Sequence, residues 1–128
     1  MKKNENDVLS RDESFTNAVF YFVQALDIAT QSAVDQCEYF GDYNVAWELL
    51  DELSSINFLV NEFPENFTED ELVKLNEISK ALAVIPDSLL VEAKTRKENL
   101  IALENPVWEP IRTQSLIAIE IFKKRSLE

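Results

Sequence analysis

Two residue types that much enzyme chemistry depends on are absent or nearly absent from this chain. Its 128 residues include no His, and Gly41 is the single glycine. Without His the chain lacks the usual general base, the usual activator of a Ser or Cys nucleophile and the commonest zinc ligand. One glycine is too few for the phosphate-cradling loops of nucleotide-binding proteins. We therefore predict that the protein is not an enzyme, and that it has no catalytic residue, cofactor or metal.

Cysteine and long apolar runs are also scarce. Cys37 is alone, so no intramolecular disulfide can form and a secreted disulfide scaffold is excluded. The start of the chain has two lysines with no apolar run after them, which is not the pattern of a signal peptide. No stretch approaches the roughly 18 consecutive apolar residues that a membrane span needs. These observations predict a cytoplasmic protein that does not bind membranes.

The remaining composition is typical of one helical domain. Apolar residues make up 46% of the chain, which is enough for a globular core. Four prolines and one glycine are too few for the frequent turns of an all-β fold. We expect an all-α fold, a single-domain antiparallel bundle of about five helices over residues 14–128, with residues 1–13 as a flexible N-terminal tail.

Apolar residues recur at intervals of three or four along most of the chain, which is the spacing of one helix face. The first predicted helix runs from Phe15 to Phe40 and ends at Gly41, a residue suited to a left-handed cap. Asp42 and Asn44 are N-cap candidates for the second helix. The other helices are predicted over residues 45–63, 68–85, 86–103 and 111–125.

Helix boundaries in the second half have clear signals. Thr68 and Glu71 fit the capping box that begins the third helix. Pro86 ends that helix and is expected to open the fourth. Pro106 and Pro110 break the chain again, and we expect a short extended or one-turn piece between them before the last helix.

Charge is distributed very unevenly along the chain. The 24 acids and 12 bases give a net charge of −12. Residues 12–73 contain fourteen acids and no base, while the rest contain ten acids and twelve bases, so the two parts sum to −14 and +2. A field of this kind repels phosphate, which argues against direct nucleic-acid binding, and it attracts basic proteins. Solubility alone is the alternative explanation for the acids.

Aromatic residues accompany the acids around the first predicted turn. Large aromatic side chains often dominate binding energy, and carboxylates pair with Lys or Arg. Each aromatic is equally well explained as core, and the α-helical acids as a plain solvated face. Cys37 is expected to be a buried hydrophobic residue rather than a reactive thiol. The residues predicted to bind a partner are Asp35, Glu38, Tyr39, Asp42, Tyr43, Trp47, Glu48, Asp51 and Glu52.

The middle of the chain resembles a bacterial protein family. The run Glu-Tyr-Phe-Gly-Asp-Tyr-Asn-Val-Ala-Trp-Glu-Leu-Leu at residues 38–50 resembles the helix–turn–helix centre of Maf-type and colicin-D-like toxin immunity proteins. Residues 68–75 resemble the capped helix that follows in that family, and the resemblance covers about residues 35–90. It implies a cytoplasmic antidote to the toxin domain, commonly a nuclease, of a secreted or contact-delivered effector. Nucleases have basic clefts for phosphate, so resemblance and charge indicate the same class of partner.

Three hypotheses for the function follow from the sequence. The first is an immunity protein that binds and neutralises a basic bacterial toxin domain through its acidic surface, with the near-neutral C-terminal helices as scaffold. The second is an acidic mimic of nucleic acid that inhibits a defence nuclease. The third is a non-catalytic helical adaptor or regulatory subunit whose acids serve solubility.

Overall fold

The computed structural model describes residues 10–126, and no strand occurs within them, which confirms the all-α, single-domain prediction. Three single turns of 3-10 helix, Pro64–Asn66, Asp87–Leu89 and Pro106–Trp108, lie between the longer helices. The antiparallel arrangement stays a prediction. The α-helices are α1 Arg11–Ala29, α2 Ala33–Phe40, α3 Val45–Leu53, α4 Ser55–Glu62, α5 Glu69–Ala83, α6 Arg96–Leu103 and α7 Glu109–Ser126.

The first predicted helix, over residues 15–40, is in fact two helices. α1 ends at Ala29, and the hydroxyl of Ser32 begins α2 by accepting a backbone N–H at 3.1 Å. The buried side chain of Gln36 donates from Nε2 to the carbonyl of Ile28 at 2.9 Å, which satisfies a carbonyl group at the end of α1. Because the apolar spacing continues across this break, periodicity alone predicted a single helix.

The second and fourth predicted helices are also divided or shortened. Ser54 separates α3 from α4, and its hydroxyl donates to the carbonyl of Leu50 at 2.8 Å. Of residues 86–103, only α6 is α-helical. α6 begins with a capping box in which Thr95 and Glu98 each accept the other's backbone N–H. This Thr-x-x-Glu signal is present in the sequence, but the apolar residues before it had suggested an earlier start.

Two predicted helix boundaries are confirmed. The capping box of α5 is formed as expected, with Thr68 and Glu71 exchanging hydrogen bonds of 2.9 and 3.1 Å. Gly41 ends α2 with φ +80° and ψ 148°, an extended conformation at positive φ that favours glycine, rather than the left-handed helical one predicted.

The start of α1 corrects the predicted tail. Residues 10–13 begin α1 through a capping box between Ser10 and Glu13, so they belong to the helical domain. The rest of the predicted tail, residues 1–9, lies outside the described residues.

A single core joins the seven α-helices of the described part of the chain. Every α-helix contributes at least one fully buried apolar side chain, and each such burial stabilises the fold by about 1.5–3 kcal/mol for a large side chain. Cys37 is among them, as predicted, and its burial raises the pKa of its thiol, which keeps the thiol neutral and unreactive. One buried residue from each helix, in chain order, is Phe22, Cys37, Leu49, Ile56, Leu75, Leu103 and Ile111.

Within residues 10–126, no helix combines the length and the apolar character that a membrane span requires.

Candidate functional site

The junction between α2 and α3, residues 41–44, is held by the chain just before α6. The backbone N–H of Asn44 donates to the carbonyl of Ala93 at 2.9 Å, and the N–H of Ala93 donates to Oδ1 of Asn44 at 2.7 Å. Asn44 lies in the left-handed helical region, with φ 50° and ψ 42°, which asparagine tolerates better than most residues. The side chain of Asn44 therefore binds the backbone of Ala93. It does not form the N-cap hydrogen bond to α3 that the sequence predicted.

Asn99 of α6 supplies the cap that α3 lacks. Its fully buried side chain accepts the N–H of Val45, the first residue of α3, at Oδ1 with a distance of 2.9 Å. Its Nδ2 donates to the carbonyls of Asp42 at 3.0 Å and Thr95 at 2.9 Å. An N-cap normally comes from the residue just before the helix, whereas this one lies 54 residues further along the chain. One side chain thus pairs with three backbone polar groups, of which the N–H of Val45 is buried, and joins α3 to α6.

Arg96, the first residue of α6, binds two of the acids that were predicted to bind a partner. Its Nη2 lies 2.6 Å from Oε2 of Glu38, and its Nε and Nη2 lie 2.5 and 3.1 Å from the carboxylate oxygens of Asp42. The hydrogen bonds to Asp42 and Glu38 raise the pKa of the guanidinium. A base of the chain itself therefore already pairs with these two acids, and their predicted contact with a partner stays a prediction.

Tyr43 is tied to the same segment. Its hydroxyl donates to the carboxylate of Glu92, and this hydrogen bond raises the pKa of the phenol. The ring remains 51% exposed. The position of Tyr43 is therefore restrained by its hydroxyl while the face of its ring stays open to solvent.

The three predicted aromatic anchors all lie at the surface. Tyr39 is 53% exposed and Trp47 is 46% exposed, close to the value for Tyr43, so none of the three belongs to the core. Tyr39 packs edge-on against Phe40, with ring centroids 4.9 Å apart, and Phe40 is itself packed on the core. Isolated exposed apolar residues occur on every protein, but three large aromatics at one junction are typical of a contact surface.

Three acids on α3 form no ion pair with a base among the described residues. Asp51 and Glu52 lie three and four residues after Glu48 on the helix, so both of their side chains are neighbours of the Glu48 side chain. None forms an ion pair within residues 10–126, and neither does Asp35 on α2. Partial burial, and then the charges of Glu48 and Asp51, raise the pKa of Glu52. The three carboxylates therefore concentrate negative charge on the part of α3 that follows Trp47.

Five other acids of residues 12–73 form ion pairs, within the described part of the chain, with bases from outside that range. Most of these bases are far away in sequence, so they join the acidic half to the rest of the domain. The C-terminal helices are consequently more than the scaffold that was predicted, because they supply two of the pairing arginines. The pairs are Arg11 with Glu65 at 2.8 Å, Lys74 with Asp70 at 3.1 Å, Arg96 with Glu38 and Asp42, and Arg125 with Glu71 at 3.1 Å.

The chemistry that this region offers is binding chemistry. Carboxylates accept charge-assisted hydrogen bonds from Arg and Lys, and the faces of exposed aromatic rings attract the same cations. Among the residues that the structure describes, no three His, Cys, Asp or Glu side chains are grouped so that they could hold a metal ion.

Comparison with known proteins gives no match from which a function could be transferred. No family model matches the sequence, and no curated protein and no solved structure matches it significantly. The resemblance to Maf-type and colicin-D-like immunity proteins therefore stays a prediction.

Replacement of Asn99 tests the junction. Asn99→Ala removes the cap of α3 and leaves the N–H of Val45 and the carbonyl of Asp42 without this partner, so we expect it to lower the free energy of unfolding by about 2–4 kcal/mol. The measurement is urea denaturation followed by circular dichroism. The control is Asn61→Ala, at an exposed position on α4, which should cost less than about 0.5 kcal/mol. An equal decrease in the free energy of unfolding for the two variants would contradict the capping role of Asn99.

Because the pKa of Glu52 is raised, the effect of removing its charge on the stability of the fold should depend on pH. A carboxyl group with a raised pKa in the folded state stabilises the fold while it is protonated, and this contribution is lost as the pH rises through the folded pKa. At pH 7 Glu52→Gln should therefore raise the melting temperature, by about 1–3 °C. The gain should disappear below about pH 3, where the carboxyl is protonated in both states. Glu62→Gln removes an equal charge from an exposed position, so an equal gain there at pH 7 would contradict the account.

Proposed function

We propose that the protein is an immunity-type inhibitor that binds and neutralises a basic toxin domain, of the kind that nucleases have. The binding region is the α2–α3 surface, which we define as the exposed aromatics and unpaired acids of α2, the junction and α3. The observation that supports the proposal most directly is that the aromatics are half exposed next to acids that pair with no base within residues 10–126. The residues of the α2–α3 surface are Asp35, Tyr39, Tyr43, Trp47, Glu48, Asp51 and Glu52.

The charge of the α2–α3 surface favours a cationic partner. Partial burial, and then repulsion by Glu48 and Asp51, raise the pKa of Glu52, and a Lys or Arg placed among the three acids would offset that repulsion. The field of the surrounding acids would also accelerate the approach of a basic domain, by roughly 10- to 1,000-fold. Phosphate would be repelled by the same field, so the surface suits the cleft of a nuclease and not its substrate.

The aromatic residues of the α2–α3 surface would supply affinity that its charges alone do not. Exposed ion pairs contribute little to affinity, whereas Trp and Tyr that become buried at an interface often dominate it. Trp47 lies one residue before Glu48 and four before Asp51, so its ring and the acid cluster share one part of α3. A basic side chain bound by the cluster would bring the partner's surface onto the ring.

The α2–α3 surface is organised before any partner arrives. Asn44, Arg96 and Asn99 hold the junction through hydrogen bonds that are complete within the chain. A surface that is already ordered loses less conformational entropy on binding, which favours high affinity. Such preorganisation suits an inhibitor that must act quickly on a toxin in the cytoplasm of the cell that it protects.

A charge-reversal experiment tests the proposal. The probe is the purified product of the neighbouring open reading frame, immobilised for biolayer interferometry. We expect a complex whose association rate falls at least about tenfold between about 50 and 500 mM NaCl. Combined replacement of Glu48, Asp51 and Glu52 by Lys should weaken binding by about 100-fold or more, mainly through slower association.

The matched control reverses three other exposed acids, Glu62, Glu69 and Glu104, and so changes the net charge by the same amount. This control should retain affinity within about tenfold of the unmodified chain. Equal losses of affinity in both triple variants would contradict the proposal. An association rate that does not change with the NaCl concentration would contradict it as well.

Truncation of the central aromatic tests the anchor separately. Trp47→Ala should cost about 2–4 kcal/mol of binding free energy, because a buried interface tryptophan commonly contributes that much. Tyr21→Ala removes an aromatic of similar exposure from α1 and should cost less than about 0.5 kcal/mol. Isothermal titration with the same probe measures both values. A Trp47→Ala variant that binds as tightly as the Tyr21→Ala variant would show that the aromatics are not anchors.

A further inference from the structure

Three of the four arginines of the chain are attached to the fold by more than charge. Arg11, Arg112 and Arg125 each donate to a backbone carbonyl of a different structural element. The guanidinium groups of Arg11 and Arg125 also lie over phenylalanine rings, 4.5 and 5.2 Å from the ring centroids. These contacts make the three arginines part of the packing of the domain. The carbonyls that they bind are those of Glu62, Leu103 and Asn66.

Arg96 differs from the other three because only carboxylates bind its guanidinium. It contacts Glu38 and Asp42, and within residues 10–126 it donates to no backbone carbonyl and lies over no aromatic ring. The side chain of Arg96 is 39% exposed, and those of Glu38 and Asp42 are 63% and 39% exposed. Ion pairs at this exposure contribute little to stability, since water and salt screen them. Another cation can therefore take the place of Arg96 at low cost.

The backbone of the junction between α2 and α3 has supports that do not involve the Arg96 guanidinium. Asn99 binds the carbonyl of Asp42 at 3.0 Å. Asn44 exchanges two hydrogen bonds with the backbone of the segment before α6. Neither support uses the carboxylate of Asp42 or of Glu38. Both carboxylates would therefore stay in place, and become available, if the guanidinium of Arg96 moved away.

We propose that Arg96 is an internal competitor, which covers Glu38 and Asp42 in the free chain and is displaced by a Lys or Arg of the partner when the complex forms. The inference rests on the proposed function, and it adds to the α2–α3 surface two acids that are paired before binding. Each of these two acids directly precedes one of the half-exposed tyrosines in the chain. The partner's base would therefore be bound beside the proposed aromatic anchors.

The contact of Arg96 limits which basic domains the α2–α3 surface binds. A domain that presents no cation at Glu38 and Asp42 meets two acids whose charge Arg96 already offsets, so it gains no ion pair there. A domain with a well-placed Lys or Arg replaces Arg96 and keeps both acids paired. Discrimination of this kind suits an inhibitor that acts among many other basic proteins.

The test measures binding to the same immobilised product of the neighbouring open reading frame. Arg96→Gln removes the competitor, so the dissociation constant should fall at least about tenfold. Lys97→Gln is the matched control, because Lys97 is exposed on the same helix and forms no ion pair with a described residue. It removes the same charge and should change the dissociation constant by less than about threefold.

The result that would overturn the inference is an Arg96→Gln variant that binds no more tightly than Lys97→Gln, or that binds more weakly than the unmodified chain. Either result would mean that Arg96 keeps its two acids in the complex, and the proposed function would stand without this exchange. If neither the unmodified chain nor Arg96→Gln formed a complex, the proposed function would fail, and the inference with it.

A second variant separates competition from charge and does not depend on how Arg96→Gln folds. Arg96→Lys keeps the positive charge but replaces the planar fork, which can bind two carboxylates at once, by a single ammonium group. It should compete less well and lower the dissociation constant at least about threefold, although the net charge is unchanged. An Arg96→Lys variant that binds no more tightly than the unmodified chain would contradict the exchange.

Discussion

The hydrogen bonds of Asn99 are the constraint on which the candidate binding surface depends. This one buried side chain caps α3 through the N–H of Val45 and holds the chain at Asp42. Arg96, in the first turn of the same helix α6, adds ion pairs to Glu38 and Asp42. Because both residues belong to α6, the position of the aromatic junction is determined by a helix that contributes none of the proposed binding residues.

Ion pairs within the described part of the chain engage some acids of residues 12–73 and leave others available to a partner. Arginines from outside residues 12–73 neutralise acids on α2, at the junction, near Pro64 and on α5. The acids of α3 receive no such partner among the described residues. Partial burial, and then the negative charges of Glu48 and Asp51, raise the pKa of Glu52. A binding surface for a basic domain needs unpaired acids, although their mutual repulsion lowers the stability of the fold. The proposed function depends on these unpaired acids.

Local signals predicted the helical content well and the tertiary contacts poorly. The all-α fold, the capping box at Thr68 and the end of α2 at Gly41 follow from patterns within a few residues. The break after Ala29 was missed because the apolar spacing continues across it. The sequence placed the aromatics and acids at one junction but could not decide between core and surface. The roles of Arg96 and Asn99 depend on partners 54 to 58 residues away, and no pattern in a single sequence predicts such contacts.

The central claim is that the junction is held by α6 before any partner binds, and amide hydrogen exchange of the free chain tests it most directly. The N–H groups of Asn44 and Val45 are bonded to Ala93 and Asn99 across the fold, so they should open only with free energies close to that of global unfolding. The amide of Tyr39, within the short helix α2, provides an internal reference. Exchange of Asn44 and Val45 at the rate of a solvent-exposed turn would contradict the account, because the surface would then be organised only on binding.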